Sequence, residues 1–383
     1  MKAERAILLA GLLGLPACAS SGGVGWEDRC GPAPGPQKPL ASLGHDEKPF
    51  EIRHLPEGRK RPGYLYRFER EDSGTTESLR GIHRIREGRI IVVGDHGTAL
   101  VRDAKAGWQK EDPRTTENLY AIVPAAYYEN GTTITEELRK NLPYIAVGSN
   151  GAAVHRDVNG VWQVEQTGTS AALFAVSHFG STTVAVGAGG AMVKRSKEGV
   201  WQAVKTRTTA DLHSLGGCGE YLCVVGTGGA MVLCKFRDEE IVCIPRPPPA
   251  QATLRVLAER GFIMGDGVWL TQVLPKQTEP RPPPSYVPWP TANAVMAGEE
   301  ILAVDHNRHS GIGELLAVGR RSTVWFQSGS TSEGGQLERV KLPFEVDFHD
   351  VAYELVDGFL VGDQGTIVHL GVEGFTPMHI CLL

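Results

Sequence analysis

The sequence predicts an all-β protein, a seven-bladed β-propeller of four-stranded antiparallel blades, and three observations carry that expectation. A phrase of β run, glycine turn, β run, polar turn and Trp recurs along most of the chain; it is clearest from Val184 to Trp201. The glycines that end the first β run of this phrase, Gly94, Gly148, Gly187, Gly226, Gly265, Gly319 and Gly362, lie 54, 39, 39, 39, 54 and 43 residues apart. Periods of that size mark repeat architectures. No long stretch carries apolar residues at helical spacing, while 47 glycines and 24 prolines supply turns.

The content of each unit selects the propeller over a solenoid. An apolar run such as Leu119-Tyr-Ala-Ile122 or Leu173-Phe-Ala-Val176 comes first, then a turn, then Ile90-Ile-Val-Val93 or Val184-Ala-Val186. After the glycine come Ala99-Leu-Val101 or Ala191-Met-Val193, and fourteen residues beyond it stand Trp108, Trp162 and Trp201. That makes four short strands per unit. The second is apolar at successive positions, as a strand covered on both faces requires. The Trp is expected to open the outer strand and pack between blades. Units run over about 78–117, 118–171, 172–210, 211–250, 252–291, 292–346 and 347–383, within a domain of 49–383. The two longer steps hold insertions near Pro124–Leu142 and Asp305–Gly313. Tyr64-Leu-Tyr-Arg-Phe-Glu-Arg70 reads as an outer strand ahead of the first unit, and Phe375–Leu382 competes for the same place in the seventh. Two proline runs, Pro245–Pro249 and Pro280–Pro284, suit outer strands, where proline blocks edge pairing.

The N-terminus gives an address. Lys2 and Arg5 precede the apolar run Ala6–Leu15 and a small-residue zone, the layout of a secretory signal peptide over 1–17. The run is too short to span a bilayer. Leu15-Pro-Ala-Cys18 resembles the bacterial lipobox, which implies lipid on Cys18, a membrane anchor through it and, with Ala19 following, an outer-membrane destination. Residues 18–48 are rich in Gly and Pro and read as a flexible tether. Without the leader the net charge is −6, and no basic run is present, so nucleic acid is not an expected partner.

Export permits disulfides. With Cys18 lipidated, six of the seven cysteines remain, and six allow fifteen pairings. Local geometry favours Cys234 with Cys243 across one hairpin and Cys218 with Cys223 across a shorter one, leaving Cys30 and Cys381 to clasp the termini. The cysteines lack the paired short spacing of a metal site, and no metal or cofactor is expected.

Val93-Gly-Asp-His-Gly97, Val147-Gly-Ser-Asn-Gly151 and Val361-Gly-Asp-Gln-Gly365, with Gly107-Trp108 and Gly160-Val-Trp162 behind the first two, resemble bacterial propellers of the BNR-repeat and photosystem II assembly-factor-like group. The resemblance spans about Leu79 to Leu383 and is weakest in the fifth unit. It implies a rigid binding platform in a WD40- or YVTN-like architecture, and it names no ligand. The two residues after each marker glycine are expected to ring the funnel on one face. Asp95, His96, Asn150, Asp266, Arg320, Arg321, Asp363 and Gln364 are the candidates there for gripping a polar ligand. Turn chemistry alone also explains Asp and Asn at such places. The expected function is non-catalytic binding of a protein or envelope component in an assembly or scaffold role. The alternative is a glycan-binding or sialidase-like glycan-hydrolysing protein, since sialidases share the BNR-type fold. No stretch, however, nominates the paired carboxylates of a glycosidase. For the anchor, Cys18→Ser should move the protein from the membrane pellet to the soluble fraction; a variant that still pellets rules the lipobox out.

Overall fold

A computed structural model describes residues 50–54, 64–84, 89–103, 107–125, 142–179, 182–237, 240–258, 262–273, 283–288, 297–306, 315–328, 336–340, 342–354 and 357–373. The expected leader and tether, Cys18, Cys30, Cys381, Phe375–Leu382 and most of both insertions lie outside these. The described strands form seven antiparallel sheets. Blade one runs Leu79–Arg84, Ile90–Gly94, Ala99–Asp103, Gly107–Glu111, hydrogen-bonded in that order, and blades two to six repeat it from Leu119, Leu173, Leu212, Leu254 and Ile301. Blade seven is assembled from both ends of the chain. Its strands Phe348–Glu354, Asp357–Gly362 and Ile367–Glu373 receive Tyr64–Glu71 as the outer strand, with Arg67 opposite Gly371 and Phe68 opposite Leu370. Phe50–His54 then pairs with Tyr64–Glu71, a fifth strand that the repeat does not predict.

Seven hydrophobic clusters fill the seams between blades. The second strand of blade one is buried throughout, and its pleat divides it. Ile91 and Val93 face Leu119, Tyr144 and Val154 of blade two, whereas Val92 faces Phe359 and Val361 of blade seven. The same division recurs at every seam. An aliphatic side chain buried this way contributes about 1.5–3 kcal/mol, so continuous apolar runs follow directly from the radial packing.

A second element ties the outer parts of successive blades. Arg156 and Trp162 face each other across the third and fourth strands of blade two. Both reach Glu111 on the outer strand of blade one: Arg156 Nε and Nη2 donate at 2.7 Å each, and Trp162 Nε1 at 2.8 Å. Arg156 is 1% exposed, so its charge depends on that carboxylate. Arg102 and Trp108 hold Glu71 identically, and Arg195 and Trp201 hold Glu165. Burial pushes the Glu165 carboxyl up, yet the bonds from Arg195 and Trp201 outweigh it and leave it below its usual range.

Blade four changes the chemistry and keeps the geometry. Its cross-strand pair is Cys234 and Cys243, joined as a disulfide, and the receiving residue on blade three is Val204. In blade seven Leu370 and Phe68 meet Val340. Gln327 holds the equivalent place in blade six, buried, and no acceptor or donor among the described residues meets its amide. The second expected disulfide, Cys218–Cys223, closes the hairpin of the first two strands of blade four.

The innermost strands are riveted by side chains. Asp350 of blade seven accepts the Ile82 amide of blade one at 2.9 Å, and Asp305 of blade six accepts the Tyr353 amide at 2.8 Å. Burial pushes the Asp350 carboxyl up to about 7, with Asp305 adding to the rise and the amides opposing it.

Two outcomes are expected. Glu111→Ala leaves the Arg156 charge buried and unpaired, and should lower unfolding free energy by about 3–5 kcal/mol in denaturant titrations. Removing Glu220 from its exposed pair with Lys235 should cost under about 1 kcal/mol; equal losses would show that the clamps carry no special weight. Asp350 titrates higher in the folded chain than its ordinary 3.8. Its contribution to stability is therefore full below about pH 4 and is lost as pH rises through 7. Asp350→Asn should flatten that decline in the unfolding midpoint, and an unchanged slope counts against it.

Candidate functional site: the mouth of the axial channel

Neighbouring first strands touch in sequence around the ring and enclose the axis. Each begins with a fully buried residue, Leu79, Leu119, Leu173, Leu212, Leu254, Ile301 or Phe348, five of them leucines. This residue lies opposite the marker glycine of its blade, and the register shifts immediately after it at all seven places. A bulge of this kind takes one residue out of the ladder and re-aims its side chain. The residues concerned are Arg80, Tyr120, Phe174, His213, Arg255, Leu302 and His349, all half-buried.

These side chains meet their neighbours. The Phe174 ring stacks on His213 at 5.6 Å between centroids and lies 6.0 Å from Tyr120. Across the closing seam Arg80 Nη1 is 3.2 Å from His349 Nε2. In ring order the mouth therefore runs Arg, Tyr, Phe, His, Arg, Leu, His.

The marker turns stand directly above. In blade two a Cβ on Gly148 would lie 1.8 Å from the Asn118 carbonyl oxygen, so only glycine fits there. The second residue after the glycine adopts positive φ at His96 (51°), Asn150 (52°), Arg321 (54°) and Gln364 (54°). Asn accepts that region readily; for the others it costs of the order of 1–3 kcal/mol. In blade five the turn shortens to Asp266-Gly267, with strands ending at Gly265 and resuming at Val268.

The candidates named from sequence occupy these turns on the face that carries the mouth. The three carboxylates are engaged by first-strand side chains that sequence reasoning did not nominate. Asp95 takes Arg80 with both oxygens at 3.0 and 2.7 Å, Asp266 takes Arg255 at 2.6 and 3.1 Å, and Asp363 takes His349 at 2.6 Å. The remainder bond to loops: His96 to Glu77 at 2.7 Å, Asn150 to Glu117 at 2.9 Å, Arg320 to Glu300 at 3.1 Å and Arg321 to the Gly298 carbonyl at 3.0 Å. Burial and nearby Arg80 hold His349 below its ordinary pKa against the pull of Asp363, and burial and Arg255 do the same for His213. Both imidazoles are therefore neutral at pH 7. Exposed His96 is raised by Glu77. A groove of about 630 Å³ opens beside this turn, between Glu77, His96, Thr98 and Lys110. The signal that marks the inner ring is present in the sequence as the residue following each buried aliphatic, in Leu119-Tyr120 and Leu173-Phe174. Among the described residues no three His, Cys, Asp or Glu side chains gather as metal ligands.

Solved structures share this architecture at low identity. YCF48 bound to a D1 peptide aligns with a TM-score of 0.55 and 14% identity, over 79% of this chain and 94% of that one. Virginiamycin B lyase of Staphylococcus aureus gives 0.57 and 10%, over 80% and 99%. The WD40 propeller domain of Doa1 gives 0.55 and 11%, over 84% and 97%. No family model and no curated protein matches the sequence. At such identities the likeness establishes the fold alone, a β-propeller.

Proposed function

We propose that the protein is a non-catalytic, lipid-anchored propeller of the cell envelope that binds a protein or envelope component at its channel mouth, in a scaffold or assembly role. One observation carries this: the repeat fixes the marker glycines and the apolar seams, while the seven mouth positions hold five residue types that differ in size, charge and aromaticity. Such variation on one rigid concave surface is the mark of a recognition site. Neighbours in fold that hold a peptide or belong to the WD40 class support a protein partner. Two buried disulfides suit an oxidising, exported compartment. The lipidated Cys18 supplies the anchor in this reading, and Ala19 directs it to the outer membrane.

The described residues support the catalytic alternative less. Each carboxylate in the marker turns is already bound to an Arg or His of the same blade, and a glycosidase needs two free carboxyl groups across a bond. Glycan binding without hydrolysis is the second reading, favoured by the stacked Tyr120, Phe174 and His213, since sugar rings pack on aromatic faces.

The test is a pull-down from solubilised envelopes, with Phe174→Ala and Arg320→Ala/Arg321→Ala as paired variants. Both alter side chains that are at least half-exposed or outside the seams, and circular dichroism checks the fold. Loss of the captured proteins in both variants is expected. An unchanged partner set places binding away from the mouth, and capture of oligosaccharide with no protein selects the glycan reading.

A further inference from the structure

The mouth is asymmetric, and the asymmetry specifies a ligand. On blades two to four the turns above it are small: Ser149-Asn150, Ala188-Gly189 and Thr227-Gly228. A Cβ on Gly189 or on Gly228 would meet nothing within 4 Å, so these two turns hold no large side chain at that place, and Thr227 Oγ1 lies 2.9 Å from His213 Nε2. Blades five to seven and one carry Asp266, the Arg320-Arg321 pair, Asp363 and Asp95-His96 instead. The smallest turns therefore belong to the blades that carry Tyr120, Phe174 and His213, whose rings form one half-buried arc, Phe174 stacked on His213 and tilted against Tyr120.

The charges around the arc do not cancel. Arg80 and Arg255 stand at its two ends, and each is paired with the bidentate carboxylate of its own blade, Asp95 or Asp266. Two further carboxylates border the arc, and both are bound to neutral groups. Glu117 takes Ser149 Oγ at 2.5 Å and Asn150 Nδ2 at 2.9 Å, and Asp211 takes the Gly189 amide at 2.8 Å. Asp211 acts electrostatically on His213, where it is joined by Asp266 and opposed by Arg255, whose effect on the imidazole is the larger. Neutral His213 adds no positive charge of its own. An aromatic floor beneath a net negative border attracts a cation over the ring faces and repels an anion.

We infer that the Tyr120–Phe174–His213 arc is a subsite for the cationic side chain of a Lys or Arg carried by a polypeptide partner, with Glu117 and Asp211 as its counter-charges. This rests on the mouth being the place where a protein binds. It goes further in fixing the sector and the sign of the charge: the two arginines of the mouth, already neutralised, are not receptors for an acidic segment.

The test uses the purified full chain and three fluorescent decapeptides in which Gly alternates with Lys, Glu or Gln, followed by anisotropy at low salt. The Lys peptide should bind at least tenfold more tightly than either other. Phe174→Ala, which leaves every charge in place, should weaken it about tenfold, and Asp211→Asn should do likewise while keeping an acceptor for the Gly189 amide. Glu220→Gln, in an exposed pair at the turn between the first two strands of blade four, should not weaken it. Preference for the Glu peptide, Lys binding insensitive to Phe174→Ala, or no binding of any peptide each overturns the cationic subsite. If the envelope pull-down still loses its proteins on mouth substitution, only the subsite fails; if those proteins are indifferent to the mouth, the underlying reading fails with it.

Discussion

Closure of the ring is the constraint on which the rest of the structure depends. A single blade has two apolar faces, and both are covered only if the seventh blade meets the first. That requires an outer strand on blade seven, and Tyr64–Glu71 supplies it by pairing along Ile367–Glu373. Phe68 then enters the seam between blades six and seven, while Glu71 at the end of the same strand accepts Arg102 and Trp108 of blade one. One strand thus completes one apolar seam and one polar clamp. Long-range pairing of this kind ties the two ends of the fold together, since the seam between blades six and seven is complete only when that strand is in place.

The seams show how one geometry tolerates different chemistry. Where the outer cross-strand pair is Arg and Trp, the residue three places beyond the pair's position on the previous blade is Glu; where it is Cys–Cys or Leu–Phe, that residue is Val. The match is what burial demands. A carboxylate facing the Cys234–Cys243 pair would lose its solvation without gaining a donor, and a valine facing Arg156 would leave a guanidinium unpaired. Blade four, lacking the polar clamp, carries a disulfide on each face: Cys234 lies toward blade three and Cys223 toward blade five.

Much of this was legible in the sequence because it repeats. Spacing of the marker glycines located the blades, apolar runs located strands covered on both sides, and hairpin distances paired Cys218 with Cys223 and Cys234 with Cys243. The Trp at the start of the outer strand packs between blades at Trp162 and Trp201, as its place in the phrase implied. What was not legible depends on register. A bulge is set by how two strands slide past each other, and no composition rule separates Tyr120 in a bulge from Tyr144 in a regular ladder. The Glu partners of the clamps were equally hidden, because the contact joins residues 30 to 51 positions apart in different blades. The turn residues were found, but their role was seen only in part. Asp95, Asp266 and Asp363 orient side chains of the inner strand, and that inner layer faces the channel.

The same constraint explains why recognition belongs at the mouth. Second and third strands are committed to the seams, outer strands to the clamps, and marker glycines to a close backbone approach. A side chain placed by a bulge in the first strand has left the ladder and takes no part in the seams or the clamps; Arg80, Arg255 and His349 meet the turns above them instead. Seven such positions, rigidly held a few ångströms apart, can vary without cost to the ring. The turns above them can vary too, but only within the limits of a positive φ at the second residue. Large residues there, as at His96 and Arg321, act as walls, and Gly189 and Gly228 act as gaps. The propeller therefore separates its requirements in space: apolar seams and marker glycines hold the ring, and the bulged first-strand residues with their turns surround its opening.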